Sequence, residues 1–161
     1  MLLSKLKMAL MIVLAVALHS GGLVVAYNVA VHPGEAQAKD DKSDKDKLQG
    51  TWEFVSGQLA GKKVEGAEAD EIKKHRFVFK GDKLTAKVES TYTIDHSKKP
   101  KEFDLKVDDG PEAERGTWKG IYDLKGDELT LCLALPNKDR PTEFVSKEGE
   151  MTMILKLKRV K

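Results

Sequence analysis

The stretch EFDLKVD, residues 102–108, alternates strictly between charged and apolar side chains. Successive side chains of a β-strand point to opposite faces of the sheet, so Phe103, Leu105 and Val107 would share one face. Such alternation is typical of a strand with one buried and one solvated face. Because the pattern recurs along the chain, this stretch decides the fold class.

The same period of two appears in several other segments. Leucines occupy positions 129, 131, 133 and 135, and apolar residues occupy positions 151, 153, 155 and 157. The residues between them are mostly small, polar or charged, which predicts that their second face is solvated. Further strands are predicted at residues 51–59, 75–80, 83–88, 91–95, 117–124 and 143–146.

Turn residues and one helical segment separate these strands. Gly81-Asp82 and Gly126-Asp127 each join two alternating runs, and glycine supplies the positive φ that tight hairpin turns require. The strands on either side of each pair are therefore predicted to be antiparallel neighbours. Residues 67–74, AEADEIKK, carry acids early and lysines late, which predicts a short helix across one end of the sheet.

This order of elements favours a closed barrel. Short sequential strands with hairpin links form a meander, and closing the sheet removes its exposed edges, whereas a two-sheet sandwich usually needs longer crossover connections. The predicted fold is all-β, an antiparallel up-and-down barrel of about eight strands with one short helix. A barrel of this size is either filled by side chains or wide enough for one small ligand.

The first 38 residues differ in composition from the rest. Two lysines precede a largely apolar run over residues 8–31, and Pro33-Gly34 is followed by Ala36-Gln37-Ala38. This order predicts an N-terminal hydrophobic targeting helix, with cleavage after Ala38. An uncleaved membrane anchor is the alternative, because the apolar run is long enough to cross a bilayer. Either way the domain is predicted to be extracytoplasmic: periplasmic, secreted or membrane-anchored through this segment alone.

Composition limits the remaining possibilities. Residues 39–47, KDDKSDKDK, predict a solvated charged linker, followed by the barrel domain at residues 48–161.

The charges are spread along the chain. The 28 Lys and Arg and 26 Asp and Glu are interspersed, for a formal net charge of +2. Nucleic-acid binding needs a clustered basic face, so this distribution argues against it. The single cysteine, Cys132, cannot form an intramolecular disulfide.

The sequence contains no recognisable catalytic or metal-binding motif. His75 and His96 have no acid or cysteine at metal-ligand spacing, and Cys132 is expected to be a packed thiol. One loop is acidic, with Asp108, Asp109, Glu112 and Glu114. Charged loops are common at barrel mouths, so a solvated loop is expected here. A pair of carboxylates that share acid and base roles is the alternative. The sequence therefore predicts a protein that is not an enzyme and uses no cofactor.

Several motifs carry a family resemblance. LQGTWE at residues 48–53 resembles the Gly-x-Trp motif that opens the first strand of lipocalins. GIYDLKGDELTLC at 120–132, RPTEF at 140–144 and FKGDK at 79–83 together resemble an uncharacterised lipocalin-like domain family abundant in planctomycete bacteria. The resemblance covers about residues 47–159 and implies the fold, a bacterial source and an exported or surface location, but no substrate.

The resemblance also implies how the barrel closes. In lipocalins a basic residue of the last strand packs over the tryptophan that closes the barrel, here Trp52. Arg159 would take that part, with Lys156 and Lys158 as alternatives.

Ten large side chains are predicted to face the interior, where they would line a ligand cavity or fill it. They are Phe54, Phe77, Phe79, Tyr92, Phe103, Leu105, Trp118, Tyr122, Leu131 and Met153. The favoured interpretation is an exported, non-enzymatic binding module that holds a small apolar or amphipathic molecule. The alternative is a structural or protein-interaction domain of the envelope with a filled core and no ligand.

Overall fold

The computed structural model of the chain describes residues 43–109, 112 and 115–161, so the predicted targeting segment at residues 1–38 lies outside it. Within the described residues the chain forms nine strands and two short helices. In chain order they are α1 (Asp44–Leu48), β1 (Gly50–Leu59), β2 (Lys62–Lys63), α2 (Ala67–Lys73), β3 (Arg76–Lys80), β4 (Lys83–Thr85), β5 (Glu89–Asp95), β6 (Lys101–Val107), β7 (Gly116–Lys125), β8 (Glu128–Ala134) and β9 (Thr152–Arg159).

Eight of these strands close into one antiparallel barrel. β1 pairs with β3, every later strand pairs with the next, and β9 returns to pair with β1. The short β2 pairs with the end of β1 alone. A register shift between Phe54 and Ser56 marks a bulge in β1, and such a bulge bends a strand, here the one on which the barrel closes. The predicted up-and-down barrel of about eight strands is confirmed.

Both predicted hairpins are confirmed. Lys80 lies opposite Lys83 and Lys125 opposite Glu128, so β3 with β4 and β7 with β8 are antiparallel neighbours. Gly81 has a φ of 63° and Gly126 a φ of 59°. Those values lie in the left-handed region that glycine adopts without the steric penalty of a Cβ atom. The two turns therefore fix the strand register locally.

The helices differ in part from the prediction. α2 is the expected helix, and it buries Ala69 and Ile72 against the barrel core. A second helix, α1, occupies part of the segment that was predicted to be a solvated linker. Residues 44–47 are thus helical, because Ser43 and Asp46 form a reciprocal capping box. Residues 45–47 are exposed, and the helix ends at Leu48, the fully buried first residue of the predicted barrel domain.

Residues 135–151, which we call the strap, cross the outer face of the barrel. Beneath the strap, Ile121, Cys132 and Ile154 of β7, β8 and β9 form a second buried cluster. The prediction that the second face of β8 and β9 is solvated is therefore wrong at Cys132 and Ile154. The strand predicted at 143–146 is also wrong, because β8 and β9 already pair along both edges and the strap has no free edge to join.

Side-chain hydrogen bonds hold the strap in place. Arg140 donates to both carboxylate oxygens of Asp104 at 2.6 and 3.0 Å and to the Gly120 carbonyl at 2.7 Å. At the other end Ser146 Oγ donates to the Thr152 carbonyl at 2.8 Å and accepts from the Gly61 amide at 2.9 Å. The strap thus connects β6 with the turn that follows β1.

Candidate functional site

One half of the barrel interior is filled by five aromatic rings, which we call the floor: Trp52, Phe79, Tyr92, Phe103 and Tyr122. Neighbouring rings are in contact, with centroids 5.1–6.5 Å apart, mostly edge to face. Tyr92 and Phe103 are stacked at 5.5 Å. Such ring pairs stabilise a core beyond their simple burial, and they leave this half of the barrel closed.

α1 covers the floor at the closed end of the barrel. Trp52 donates its indole N–H to the Leu48 carbonyl at 2.8 Å. Gln49 donates to the Tyr92 hydroxyl at 2.9 Å and accepts from the Gly81 amide at 2.6 Å, and Tyr92 donates to the Gly81 carbonyl at 3.0 Å. The segment that precedes β1 is therefore bonded to the β3–β4 turn across the end of the barrel.

An arginine completes this closure. The Arg159 guanidinium lies over the Trp52 ring, with Cζ 4.3 Å from the ring centroid. Lys156 and Lys158, the alternatives left open by the sequence, are exposed, and each lies one position from the inward-facing Leu157. Arg159 is thus the cation that packs on the tryptophan.

A carboxylate anchors α1 on the opposite side of the floor. Asp44 accepts hydrogen bonds from Lys101 at 2.7 Å and from the Tyr122 hydroxyl at 2.8 Å. Burial opposes ionisation of Asp44, but these two hydrogen bonds outweigh it, so the pKa of Asp44 lies below its usual value. Burial, together with the bond to Asp44, raises the pKa of the Tyr122 hydroxyl. Asp44 is therefore an ionised anchor at neutral pH.

The other half of the barrel contains an apolar cavity of about 70 Å³. Its lining residues are Phe77, Leu84, Ala86, Val88, Ser90, Leu105, Val107, Asp109, Trp118, Leu131, Leu133, Met153 and Leu155. Most small-molecule pockets measure roughly 300–1,000 Å³. The interior is therefore mostly filled, and the remaining space suits only a small or slender group.

The cavity exists because the inward side chains are small in the connection between β4 and β5 and at the start of β5. In this half the interior is lined by Ala86, Val88 and Ser90, whereas in the floor half it is filled by rings such as Phe79 and Tyr92. Ala86, Val88, Val107 and Asp109, which we call the rim, surround the opening. Trp118 forms part of the cavity wall.

The ten predicted interior residues are all buried or half-buried with the core. Five of them line the cavity: Phe77, Leu105, Trp118, Leu131 and Met153. The other five pack in the closed part of the interior: Phe54, Phe79, Tyr92, Phe103 and Tyr122. The sequence left lining and filling as alternatives, and the structure divides the set between them.

Sequence analysis missed Ser90. Residues 89–90 were predicted to lie between strands, but β5 begins at Glu89. The signal was available, because Ser90 precedes the inward-facing Tyr92 by two residues and so shares its face of the strand.

Cys132, Asp108 and Glu112 were among the residues considered for catalysis or metal binding, and they lie outside the lining of the barrel cavity. Burial raises the pKa of the Cys132 thiol to about 11, so it is not a ready nucleophile at neutral pH. Asp108 forms an exposed ion pair with Lys106 at 3.1 Å, Glu112 is exposed, and Glu114 lies outside the described residues. In the part of the chain that the structure describes, no group of three or more His, Cys, Asp or Glu side chains is placed to hold a metal ion. Likewise, no helix there is long and apolar enough to span a bilayer.

Comparisons of this chain with protein-family models, with curated proteins and with solved structures find no match. The functional argument therefore depends on the cavity and its lining.

Proposed function

We propose that this chain is an exported, non-enzymatic binding module that takes a small apolar or amphipathic molecule at the open end of its barrel. The observation that carries the proposal is the apolar cavity beside Trp118, beneath a rim of small side chains. Ligand sites are typically concave, mainly apolar and equipped with few polar groups. The floor closes the opposite end, so the ligand would enter past the rim.

The cavity volume limits the ligand. An engineered cavity of about 150 Å³ holds benzene, and this cavity measures about 70 Å³. The enclosed part of the ligand would therefore contain only a few heavy atoms, as in a small molecule or the end of an alkyl chain. Any larger remainder would lie outside the rim.

Export and family membership are part of the same proposal. Export rests on the basic, apolar and small-residue order of residues 1–38. Membership of a lipocalin-like bacterial family rests on the motifs at 48–53, 79–83 and 120–132. The closed eight-stranded barrel is compatible with that membership.

Native mass spectrometry of protein purified from its own host tests the binding function. Wild-type protein should carry a small copurifying molecule, which organic extraction releases. Val88→Phe places a ring at the rim and should remove that molecule, whereas Val55→Phe makes the same exchange at an exposed position on the bulge of β1 and should retain it. A wild-type protein without any bound molecule, or equal loading of both variants, would contradict the proposal.

The alternative function, a protein-interaction domain with a filled core, is favoured by a different observation. Phe144 and Val145 are adjacent on the strap and are 37 and 42% exposed. A photoactivatable residue at position 144 should then give one discrete crosslinked protein in the native host, and the same residue at the exposed Lys98 should give none. No crosslink from position 144 would leave this alternative without support.

A further inference from the structure

A groove of about 550 Å³, which we call the lysine groove, lies on the outside of the barrel at the bulge of β1. β1 pairs with β3 as far as Glu53 and with β2 from Gln58, so within the described sheet residues 54–57 have no strand partner on that edge. The chain between β2 and α2 packs beside them instead, and the Val64 amide donates to the Gly57 carbonyl at 3.0 Å. The interrupted strand pairing therefore creates the groove.

The base of the lysine groove is apolar. Four of its lining side chains are buried there, namely Phe54, Val64, Ala69 and Ile154. Val55, on the bulge itself, is 53% exposed and lines the same groove. The groove volume lies within the range of about 300–1,000 Å³ that is typical of small-molecule sites. An apolar group of that size would be removed from water on this base, which is favourable.

Two lysines flank the groove on one face of the sheet. Lys63 of β2 lies opposite Gln58, and Lys156 of β9 lies opposite Ser56. Residues directly opposite each other share a face, and so do residues two apart on a strand, so the register directs both lysines to the outer face. A strand spacing of about 4.8 Å and the two-residue offset place their Cα atoms about 12 Å apart, so two extended lysine side chains can meet at one anion.

The lining is also cationic. It contains Lys63, Lys73 and Lys156 but, among the described residues, a single acid, Glu65. Lys73 contacts Asp70 at 3.6 Å, whereas no ion pair within the described chain involves Lys63 or Lys156. Two ammonium groups without a carboxylate partner, above an apolar base, are complementary to a molecule with one anionic and one apolar end.

We propose that the lysine groove binds a small amphipathic anion, in which an anionic group such as a carboxylate is carried on a short apolar body. The anionic group lies between the ammonium groups of Lys63 and Lys156, and the apolar body covers Val55 and the base. This site is separate from the barrel cavity, because the two share no lining residue. The concave shape favours a single molecule over a membrane surface.

Octanoate and octanamide separate the contribution of charge from that of apolar burial, since they share one alkyl chain and differ in charge. Each probe is titrated at low ionic strength, with octanoate below its micellar concentration, and followed by NMR shifts of the Val55 and Val64 methyl groups. The methyl groups of Leu131 and Leu133 report on the barrel cavity in the same spectra. Octanoate should shift the groove resonances saturably, more weakly as salt is added, and octanamide should bind less tightly.

Two double variants test the lysines. Lys63→Gln with Lys156→Gln removes both ammonium groups of the groove, and Lys62→Gln with Lys158→Gln removes two exposed lysines of the same strands outside its lining. Each groove lysine should contribute about two- to fivefold to octanoate affinity, so the first variant should bind about 4–25-fold more weakly and the second within about twofold of wild type. Octanamide binding should be the same in both variants, and both should unfold near the wild-type temperature because the changes are at the surface.

Three results would overturn the proposal. The first is equal affinity for the two probes, or an equal loss in the two double variants. The second is an octanoate shift confined to Leu131 and Leu133, which would assign the anion to the barrel cavity. The third is the absence of an octanoate shift at Val55 and Val64, and cosedimentation with phosphatidylglycerol vesicles that Lys63→Gln with Lys156→Gln abolishes would then identify the groove as a membrane contact.

Discussion

The Arg159 guanidinium is stacked on the indole of Trp52, with Cζ 4.3 Å from the ring centroid, where the last strand meets the first. Its nitrogens also donate to the carbonyls of Lys47 and Gln49 and contact Asp127 Oδ1 at 3.2 Å. One side chain thus joins β9, the segment preceding β1, and the β7–β8 turn.

Replacing this arginine should weaken the barrel closure. Arg159→Lys keeps the charge but loses the planar fork that stacks and donates to several acceptors. We expect a loss of about 1–3 kcal/mol in the free energy of unfolding, measured by urea denaturation. Lys158→Ala removes an exposed neighbouring cation and should change it by less than about 0.5 kcal/mol. Equal effects of the two changes would mean that the stacking adds no stability.

Asp44 should make the barrel sensitive to acid. Its native pKa is lowered from the ordinary value of 3.8, so the unfolded state binds this proton more tightly than the native state. The stabilisation is complete above that value and is lost as the pH falls through the lowered native pKa. Asp44→Asn should therefore reduce stability at pH 7 and flatten its decline below about pH 4.

The comparison for Asp44 is Asp70→Asn. Asp70 is exposed on α2 and contacts Lys73 at 3.6 Å, so its removal should leave the acid-induced decline close to wild type. Stability is followed by urea denaturation at a series of pH values. If both variants have the same slope below pH 4, Asp44 is not the acid-sensitive anchor.

Gly120 should tolerate no side chain. A Cβ atom there would lie 2.4 Å from Leu133 Cδ2 and 2.5 Å from the Cys132 carbonyl oxygen. Gly120→Ala should therefore destabilise the barrel by about 1–3 kcal/mol through overpacking. At Gly126 no atom lies within 4 Å of the added Cβ, and only the positive φ makes Gly126→Ala unfavourable, by about 1 kcal/mol. Urea denaturation should rank Gly120→Ala as the more harmful change.

Release of the strap should expose Cys132. In the native protein the thiol is buried under the strap and its pKa is raised to about 11, so alkylation by iodoacetamide at pH 8 should be slow. Arg140→Ala removes the bonds to Asp104 and Gly120, and the alkylation rate should rise about tenfold for each 1.4 kcal/mol of strap stability lost. Lys138→Ala, at an exposed site on the strap, should not accelerate it. An unchanged rate in Arg140→Ala would show that the bonds of Arg140 do not control access to the thiol.

Local patterns predicted the barrel because strands and tight turns are specified by neighbouring residues. The alternation at 102–108 and the turns at Gly81 and Gly126 each depend on a few consecutive side chains. Arg159, in contrast, needed a family resemblance, since alternation alone does not distinguish it from Lys156 and Lys158 as the cation over Trp52.

The missed features depend on residues far apart in the sequence. Cys132 and Ile154 are buried because the strap crosses them, and nothing in their own alternation indicates that cover. The cavity requires the small side chains between β4 and β5 and at the start of β5 to face larger ones across the barrel, which only the strand register reveals. α1 had one local signal, the Ser43 and Asp46 capping pair, within a charged run whose composition resembles a linker.

Both ends of the described domain leave the barrel beside the floor. Ser43 precedes the helix that covers it, and the Val160 amide donates to the Thr51 carbonyl at 2.9 Å. The described chain therefore begins and ends on the side of the barrel away from the rim, and an affinity tag or sensor surface joined directly to the C-terminus would lie on that side. Immobilised protein would present its opening to the bulk solution, without obstruction by the attachment itself.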